Sequence, residues 1–339
     1  MRISVFGSGA WGTAISLLMR DNGHDVKLWS KFVDEADILD KTRENPLLRG
    51  VKIPEDIVIL SDIYDAACGA EVAVIAVPSY AVRETAETLS GRLEDGCIVA
   101  CLSKGIEKDT SSLFTSILTN AFGEGTPIAA VSGPTHAEEV ARRIPTACVA
   151  ASKDIAIAER VQGLLMNEYF RVYSSTDVIG VELGAALKNV IALCAGICDG
   201  LGYGDNTIAM LMTRGLAEMA ELCVKMGGKK ETIAGLAGLG DLIVTCMSRH
   251  SRNRRAGIII GKGVAVQDAM HEVGAVVEGY FAASAARDLA VAMGVEMPIC
   301  YEAYRVLYEG KSPHIAMKEL MCRTRKSEHA TGAETWVIR

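Results

Sequence analysis

The chain has 339 residues, 50% of them hydrophobic and 23% charged, with a formal net charge of −7. That length exceeds what one hydrophobic core usually supports and predicts two domains. The apolar share excludes a disordered or fibrous chain, and the acidic excess argues against a general nucleic-acid binder, which needs clustered positive charge. No uninterrupted apolar run approaches the ~18 residues of a membrane span, and the N-terminus enters a strand rather than a signal peptide, so a cytoplasmic protein is expected.

Arg2 to Phe6 (RISVF) reads as a short buried strand, Gly7-Ser8-Gly9-Ala10-Trp11-Gly12 follows without a gap, and Thr13 to Arg20 continues with helical spacing of Ile15, Leu18 and Met19. This is the front half of a dinucleotide-binding unit. Gly7 makes the tight turn, Gly9 admits a pyrophosphate to the backbone, and Gly12 lets the helix pack close. The pyrophosphate then rests on the free amides and positive dipole of the helix N-terminus. Val26 to Ser30 is the second strand, and no acid stands at its end to bind a ribose 2′-hydroxyl; Lys31 does, with Asp34 and Glu35 as the first acids beyond. Lys31 is a partner for a 2′-phosphate or an ordinary solvated lysine, and the reading favours acceptance of NADPH, with NADH beside it.

A polar stretch with Pro46 and Pro54 comes next, and then apolar strands alternate with helices: Glu71 to Val77, Cys97 to Leu102, Ile128 to Ser132, Thr146 to Ala151 and Phe170 to Tyr173. Near-continuous apolar strands between helices imply a mainly parallel sheet covered on both faces, a Rossmann-like α/β domain. From about Ser174 the pattern turns helical and rich in Ala, Leu, Met and Gly. Asp177 to Ile197 is broken only by Gly180, Gly184 and Gly196; Thr207 to Met226, Ala265 to Ala269, Gly279 to Met293 and Ile299 to Tyr308 follow. The expected division is a dinucleotide-binding domain over residues 1–174 and an all-helical domain over 175–339. Ten scattered cysteines without a CxxC pair read as buried reduced thiols. Cys194 and Cys198 lie one helical turn apart without further ligands, and no metal is expected.

In an open α/β sheet the ligand lies beyond the carboxyl ends of the strands. Three groups meet that condition or face the cleft from the helical half. Ser103-Lys104-Gly105 places a lysine and a glycine after one strand. Gly133-Pro134-Thr135-His136-Ala137 follows another, with Thr135 placed to cap the next helix. His136 has no partner in sequence and reads as a packing or cofactor-contacting residue. Lys188 and Asn189 interrupt the apolar run Leu183 to Leu193, and burying an ammonium without a task is costly. Farther on, Gly238-Leu239-Gly240-Asp241 precedes Ser251-Arg252-Asn253-Arg254-Arg255, where a guanidinium, a hydroxyl and a carboxamide together suit a phosphate. A solvated basic turn is the alternative for Arg249, Arg254 and Arg255.

These strings together resemble the bacterial-type NAD(P)-dependent glycerol-3-phosphate dehydrogenases nearly end to end: GSGAWGTA from Gly7, LSKGIE from Leu102, SGPTHAEEV from Ser132, ELGAALKNVIAL from Glu182, TRGLAEM from Thr213, GLAGLGDL from Gly235, SRNRR from Ser251 and VVEGY from Val276. The resemblance implies cofactor contacts from Ala10, Trp11, Lys31, Lys104, Ala137, Arg252, Val276 and Glu278. It implies a substrate site of Lys104, Gly133, Thr135, Lys188, Asp241, Ser251, Arg252 and Asn253, with Lys188 as proton acceptor. The implied reaction is reversible hydride transfer between sn-glycerol 3-phosphate and dihydroxyacetone phosphate, supplying glycerol phosphate for membrane lipids. Departures cluster at the adenosine end: Ala10 for a commoner Ser, Lys31 for His or Arg, Leu47 for an aromatic. Desolvation and repulsion from Lys104 and Arg252 are expected to lower the Lys188 pKa, against Asp241 and the substrate phosphate. A related hydroxy-acid dehydrogenase and a non-catalytic dinucleotide sensor are the rival readings, and an apolar helical half is compatible with a homodimer.

Overall fold

The computed structural model describes residues 1–325 and 327–328, so positions 326 and 329–339 of the expected helical domain lie outside the described residues. Eight strands form one sheet: β1 (Arg2–Phe6), β2 (Asp25–Trp29), β3 (Val58–Leu60), β4 (Val72–Ile75), β5 (Ile98–Cys101), β6 (Ile128–Ser132), β7 (Thr146–Ala151) and β8 (Phe170–Ser175). Their order is β3-β2-β1-β4-β5-β6-β7-β8. β1 to β6 are parallel, β7 runs antiparallel to β6, and β8 is parallel to β7. β4 and β5 are buried along their whole length, because helices cover both faces and every residue meets a core. Separate apolar clusters fill the two faces, one around Val5, Leu18 and Val74, the other around Phe6, Ile75 and Phe114. Only the three-residue edge strand β3 escapes the sequence reading; it is too short to carry a pattern, and Val58 is half exposed.

The strand order reverses about β1, with β2 on one side and β4 on the other. The loops after β1 and β4 therefore diverge and leave a crevice at the carboxyl edge of the sheet. The glycine loop, Gly7 to Gly9, occupies that position and leads into the helix Ala10–Asp21.

The helical half is built around one 23-residue helix, Val178–Gly200. By length and composition it could cross a membrane, with a mean hydropathy of 1.7, yet 83% of its most apolar window is buried inside the fold. Buried Glu182, Lys188 and Asn189 interrupt its apolar surface, as befits a core helix with a task. Asp177 caps its start by accepting a hydrogen bond from Gly180 N at 3.0 Å. The helices Asp205–Lys225, Asp241–Met247, Arg252–Gly261, Glu278–Met293 and Pro298–Tyr308 surround it. Its glycines are contact points rather than breakers. A Cβ on Gly196 would lie 2.1 Å from Arg254 O, and one on Gly257 would lie 2.1 Å from Leu193 O, so this helix and Arg252–Gly261 meet backbone to backbone. The sequence reading gave the segment 251–255 no helix; Ser251 is in fact the N-cap residue of Arg252–Gly261.

One loop ties the halves together. Ile106 and Leu113, between β5 and the helix Phe114–Phe122, are buried in the apolar cluster of the helical half.

Candidate active site

The glycine loop has the shape of a pyrophosphate cradle. Gly7 has φ +119°, and a Cβ there would lie 2.6 Å from Ala76 O. A Cβ on Gly12 would meet Gly7 O at 1.8 Å, whereas one on Gly9 would meet nothing within 4 Å. Gly12 thus closes the helix onto the loop, and Gly9 faces open space. The helix Ala10–Asp21 has no side-chain cap and no acid in its first turn, so its amides and dipole are uncompensated, which fits a bound dinucleotide phosphate. Trp11 is fixed by its Nε1, which donates to Leu102 O at 3.2 Å, and Ala137 packs in the same cluster as Ala10 and Trp11.

At the adenosine end the sequence reading is corrected. An acid does reach this place: Glu35, in the next helix, turns back so that Oε1 accepts from Ser8 Oγ at 3.1 Å and Oε2 from Ser30 Oγ at 2.9 Å. Sequence distance hid it, because the first helical turn after β2 brings the carboxylate back over the strand end. Lys31 is exposed and pairs with Glu84 at 2.7 Å.

The chemistry-bearing groups converge from both halves on one carboxylate. Asp241 begins the helix Asp241–Met247, directly after a π-helical turn over Leu236–Gly240. Its Oδ1 accepts from Lys188 Nζ at 2.9 Å and its Oδ2 from Lys104 Nζ at 2.9 Å. Lys104 also donates to Gly133 O at 2.8 Å and Thr135 Oγ1 at 3.1 Å, and Lys188 to Thr245 Oγ1 at 2.8 Å. Asp241 is 2% exposed and Lys188 6%. Burial lowers the Lys188 pKa to about 8, with Asp241 pulling it up and Lys104 pushing it down; Arg252, expected to contribute, is not among the groups acting on it. Burial raises the Asp241 pKa, but the Lys104 and Lys188 ammoniums outweigh it and hold the carboxyl below its usual range.

One local expectation changes. Thr135 does not cap the following helix; His136 is the N-cap residue of Ala137–Val140 without a side-chain bond, and Thr135 instead donates to Gly133 O. Gly105 has φ +147°, a conformation that side chains rarely adopt, and a Cβ there would press on Ser79 Cβ at 3.1 Å and on the Phe114 ring at 3.3 Å.

The segment Ser251-Arg252-Asn253 borders the same cleft. Ser251 Oγ accepts from Arg254 N at 3.2 Å. Asn253 Nδ2 donates to Asn189 Oδ1 at 2.9 Å and its Oδ1 accepts from Gly279 N at 2.8 Å. Arg252 is exposed beside these two buried residues and acts on the Glu278 carboxyl, lowering a pKa that burial raises. Arg254 is committed to Asp199. Glu278 crosses between the halves: its Oε1 accepts from Ser79 N, after β4, at 3.2 Å, and half-buried Val276 lies two residues before it.

Among the described residues, buried side-chain polar atoms without a partner are His24 Nε2, Ser132 Oγ, His136 Nε2 and Glu278 Oε2. The last three stand on segments that carry site residues, as expected where a ligand completes the hydrogen bonding. Sequence reasoning missed Thr245 and Ser79, and it named Glu35 only as an acid beyond the strand. Thr245 had a signal, since it lies four residues after Asp241 on one helix and so shares its face; Ser79 is joined to Glu278 only by the fold.

Comparison with known proteins agrees with this geometry. Residues 2–158 match the model of the NAD-dependent glycerol-3-phosphate dehydrogenase N-terminus and residues 177–318 that of the C-terminus. The glycerol-3-phosphate dehydrogenase [NAD(P)+] of Agathobacter rectalis is 48% identical over 97% of this chain and 98% of its own length. That of a Thermoanaerobacter species is also 48% identical, over 97% and 99%. The crystal structure of the Coxiella burnetii glycerol-3-phosphate dehydrogenase superposes with a TM-score of 0.92 at 36% identity, covering 95% of this chain and 99% of that one. The chain belongs to the NAD-dependent glycerol-3-phosphate dehydrogenase family.

Proposed function

We propose that this protein is an NAD(P)-dependent sn-glycerol-3-phosphate dehydrogenase that reversibly reduces dihydroxyacetone phosphate, with Lys188 as the proton donor and acceptor. The observation that carries this reading is the buried Lys188–Asp241–Lys104 set, in which the Lys188 pKa falls to about 8 and the amine works as acid or base near neutrality. A nicotinamide cofactor, held by the residues named below, would supply the hydride exchanged with the middle carbon of the substrate. In the reducing direction Lys188 stabilises charge growing on the carbonyl oxygen and gives it a proton; in the oxidising direction neutral Lys188 takes the hydroxyl proton. Asp241 orients both amines and is held ionised by them, so it is a positioning group rather than the base.

Gly7, Gly9, Ala10, Trp11 and Gly12 would hold the pyrophosphate side of the cofactor, and Ala137, Val276 and Glu278 its other end. Lys104, Gly133, Thr135, Lys188 and Asp241 would hold the reacting part of the substrate, and Ser251, Arg252 and Asn253 its phosphate. Exposed Arg252, acting on Glu278 while flanked by the phosphate set, is placed to touch both ligands, as is Lys104. Lys31 remains the group for a 2′-phosphate, because an exposed pair with Glu84 costs only ~0–1 kcal/mol to break. We divide the chain at residues 174 and 175, a cut that falls at the last residue of β8 (Phe170–Ser175), shortly before the core helix begins at Val178. We assign the reducing direction to glycerol phosphate supply for membrane lipids in the cytoplasm. Exposed apolar residues such as Val291 and Met293 support a homodimer through the helical half.

The test is loss of reduced-nicotinamide absorbance on adding dihydroxyacetone phosphate, with NADH and NADPH in parallel and Lys188→Ala as control. Turnover in the wild type and a loss of about 10²-fold or more in the variant is the expected result. Cofactor binding without turnover overturns the reading in favour of a sensor.

A further inference from the structure

Among the described residues of the cleft, Ser132 and His136 carry buried polar atoms that the proposed mechanism leaves idle, and His136 is the titratable one of the two. Its Nε2 is buried and has no hydrogen-bond partner, although buried ring nitrogens are almost always satisfied. It lies between Thr135, which holds Lys104, and Ala137, on the segment after β6. Across the cleft its ring faces His250, with centroids 6.3 Å apart and planes tilted by 57°. His250 directly precedes Ser251, the N-cap residue of the helix that starts the phosphate set. The ring thus stands next to the residue that holds the Lys104 amine and against the residue that precedes Ser251.

We infer that His136 is a further substrate-binding residue, whose Nε2 donates a hydrogen bond to a phosphate oxygen of the substrate, with His250 backing its ring. The inference rests on the substrate phosphate occupying the Ser251-Arg252-Asn253 segment. The groups that face His136 are Lys188, Lys104, Asp241, Glu138 and His250. Burial, and then Lys188 and Lys104, hold its pKa below the ordinary value of 6.5, so at neutral pH the free site carries a neutral ring. A phosphate dianion beside it reverses the balance and favours the imidazolium. Substrate binding then takes up a proton, and affinity per dianion is strongest on the acid side and weakens as pH rises between the free and bound pKa values.

The experiment measures kcat and KM for dihydroxyacetone phosphate, and the competitive inhibition constant of inorganic phosphate, between pH 5.5 and 8.5. It compares the wild-type enzyme with His136→Ala and His136→Gln. Loss of a charge-assisted bond predicts that His136→Ala raises KM and the phosphate inhibition constant together by about tenfold or more, with a smaller effect on kcat. His136→Gln keeps a donor near the Nε2 position and recovers most of the affinity, but its inhibition constant per dianion loses the wild-type pH dependence. An unchanged phosphate constant in His136→Ala, or wild-type pH dependence in His136→Gln, overturns the inference. Should His136→Ala fail to fold, His136→Gln decides alone. A wild-type enzyme that does not turn over dihydroxyacetone phosphate overturns the underlying function instead.

Discussion

A lysine in the middle of an apolar helix is legible in sequence because its burial has no structural motive, and Lys188 stood out for that reason. What sequence could not show is that Asp241 and Lys104 close on it from 53 and 84 positions away, since only the fold sets such distances. The arrangement fixes the sign of the pH response. With the Lys188 pKa at about 8, glycerol phosphate oxidation needs the neutral amine and rises through about pH 8, while ketone reduction needs the ammonium and falls through the same region. Asp241→Asn removes the charge that supports the ammonium, so both limbs should move to lower pH, with kcat reduced by about 10-fold or more. Lys188→Arg keeps the charge but cannot release the proton, and should be inactive as a base. Rate profiles in both directions check this. Full activity in Lys188→Arg, together with retained turnover in Asp241→Asn, would sink the assignment of the proton to the lysine.

At the level of elements, the strands were readable because buried parallel strands are uninterrupted apolar runs, and the long helices because Ala and Leu dominate them. The short pieces were not: β3 is a paired edge fragment, and the helix Arg252–Gly261 opens with charges that look like a turn. Glycines misled most. Gly196 read as a break in a helix, but it and Gly257 each make room for the other helix's backbone. This close approach places Asn253 against Asn189, the neighbour of Lys188, and so sets the distance between the proposed phosphate set and the proposed catalytic amine. Gly257→Ala inserts a Cβ at 2.1 Å from Leu193 O, which neither backbone can avoid. It should cost ~1–3 kcal/mol, lower the melting temperature and raise KM for dihydroxyacetone phosphate. Gly163→Ala serves as the contrast, because its Cβ meets nothing within 4 Å inside the helix Ile155–Leu165, and it should stabilise by up to ~1 kcal/mol. Thermal denaturation of the pair tests the point, and equal responses would show that helix contact is not what Gly257 serves.

Across the whole molecule, the halves are joined not only by the Lys104–Asp241 pair but also by buried groups outside the proposed substrate set. Glu182 leaves the core helix and accepts from Thr115 N at 2.9 Å and from Thr115 Oγ1, capping the otherwise uncapped helix Phe114–Phe122 of the sheet half. The loop before that helix carries Lys104 at one end and buries Ile106 and Leu113 in the helical core. One carboxyl therefore holds the core helix, and with it Lys188, against the loop that presents Lys104. Burial raises the Glu182 pKa to about 7 despite the Thr115 donors, above its unfolded value of about 4.3. A carboxyl whose pKa is raised on folding binds more protons in the native state. Its contribution is thus complete below the unfolded pKa, declines as pH rises towards about 7, and is constant above that. Glu182→Gln removes this dependence while keeping an acceptor for Thr115 N. Glu218, also raised by burial to about 7, is present in both proteins and cancels in the difference. Between pH 5 and pH 8 the stability of the variant relative to the wild type should shift in its favour by up to ~3 kcal/mol. Denaturant unfolding at the two pH values measures the shift. A difference that stays constant would mean that Glu182 is ionised throughout, held by the helix N-terminus it caps more firmly than burial opposes.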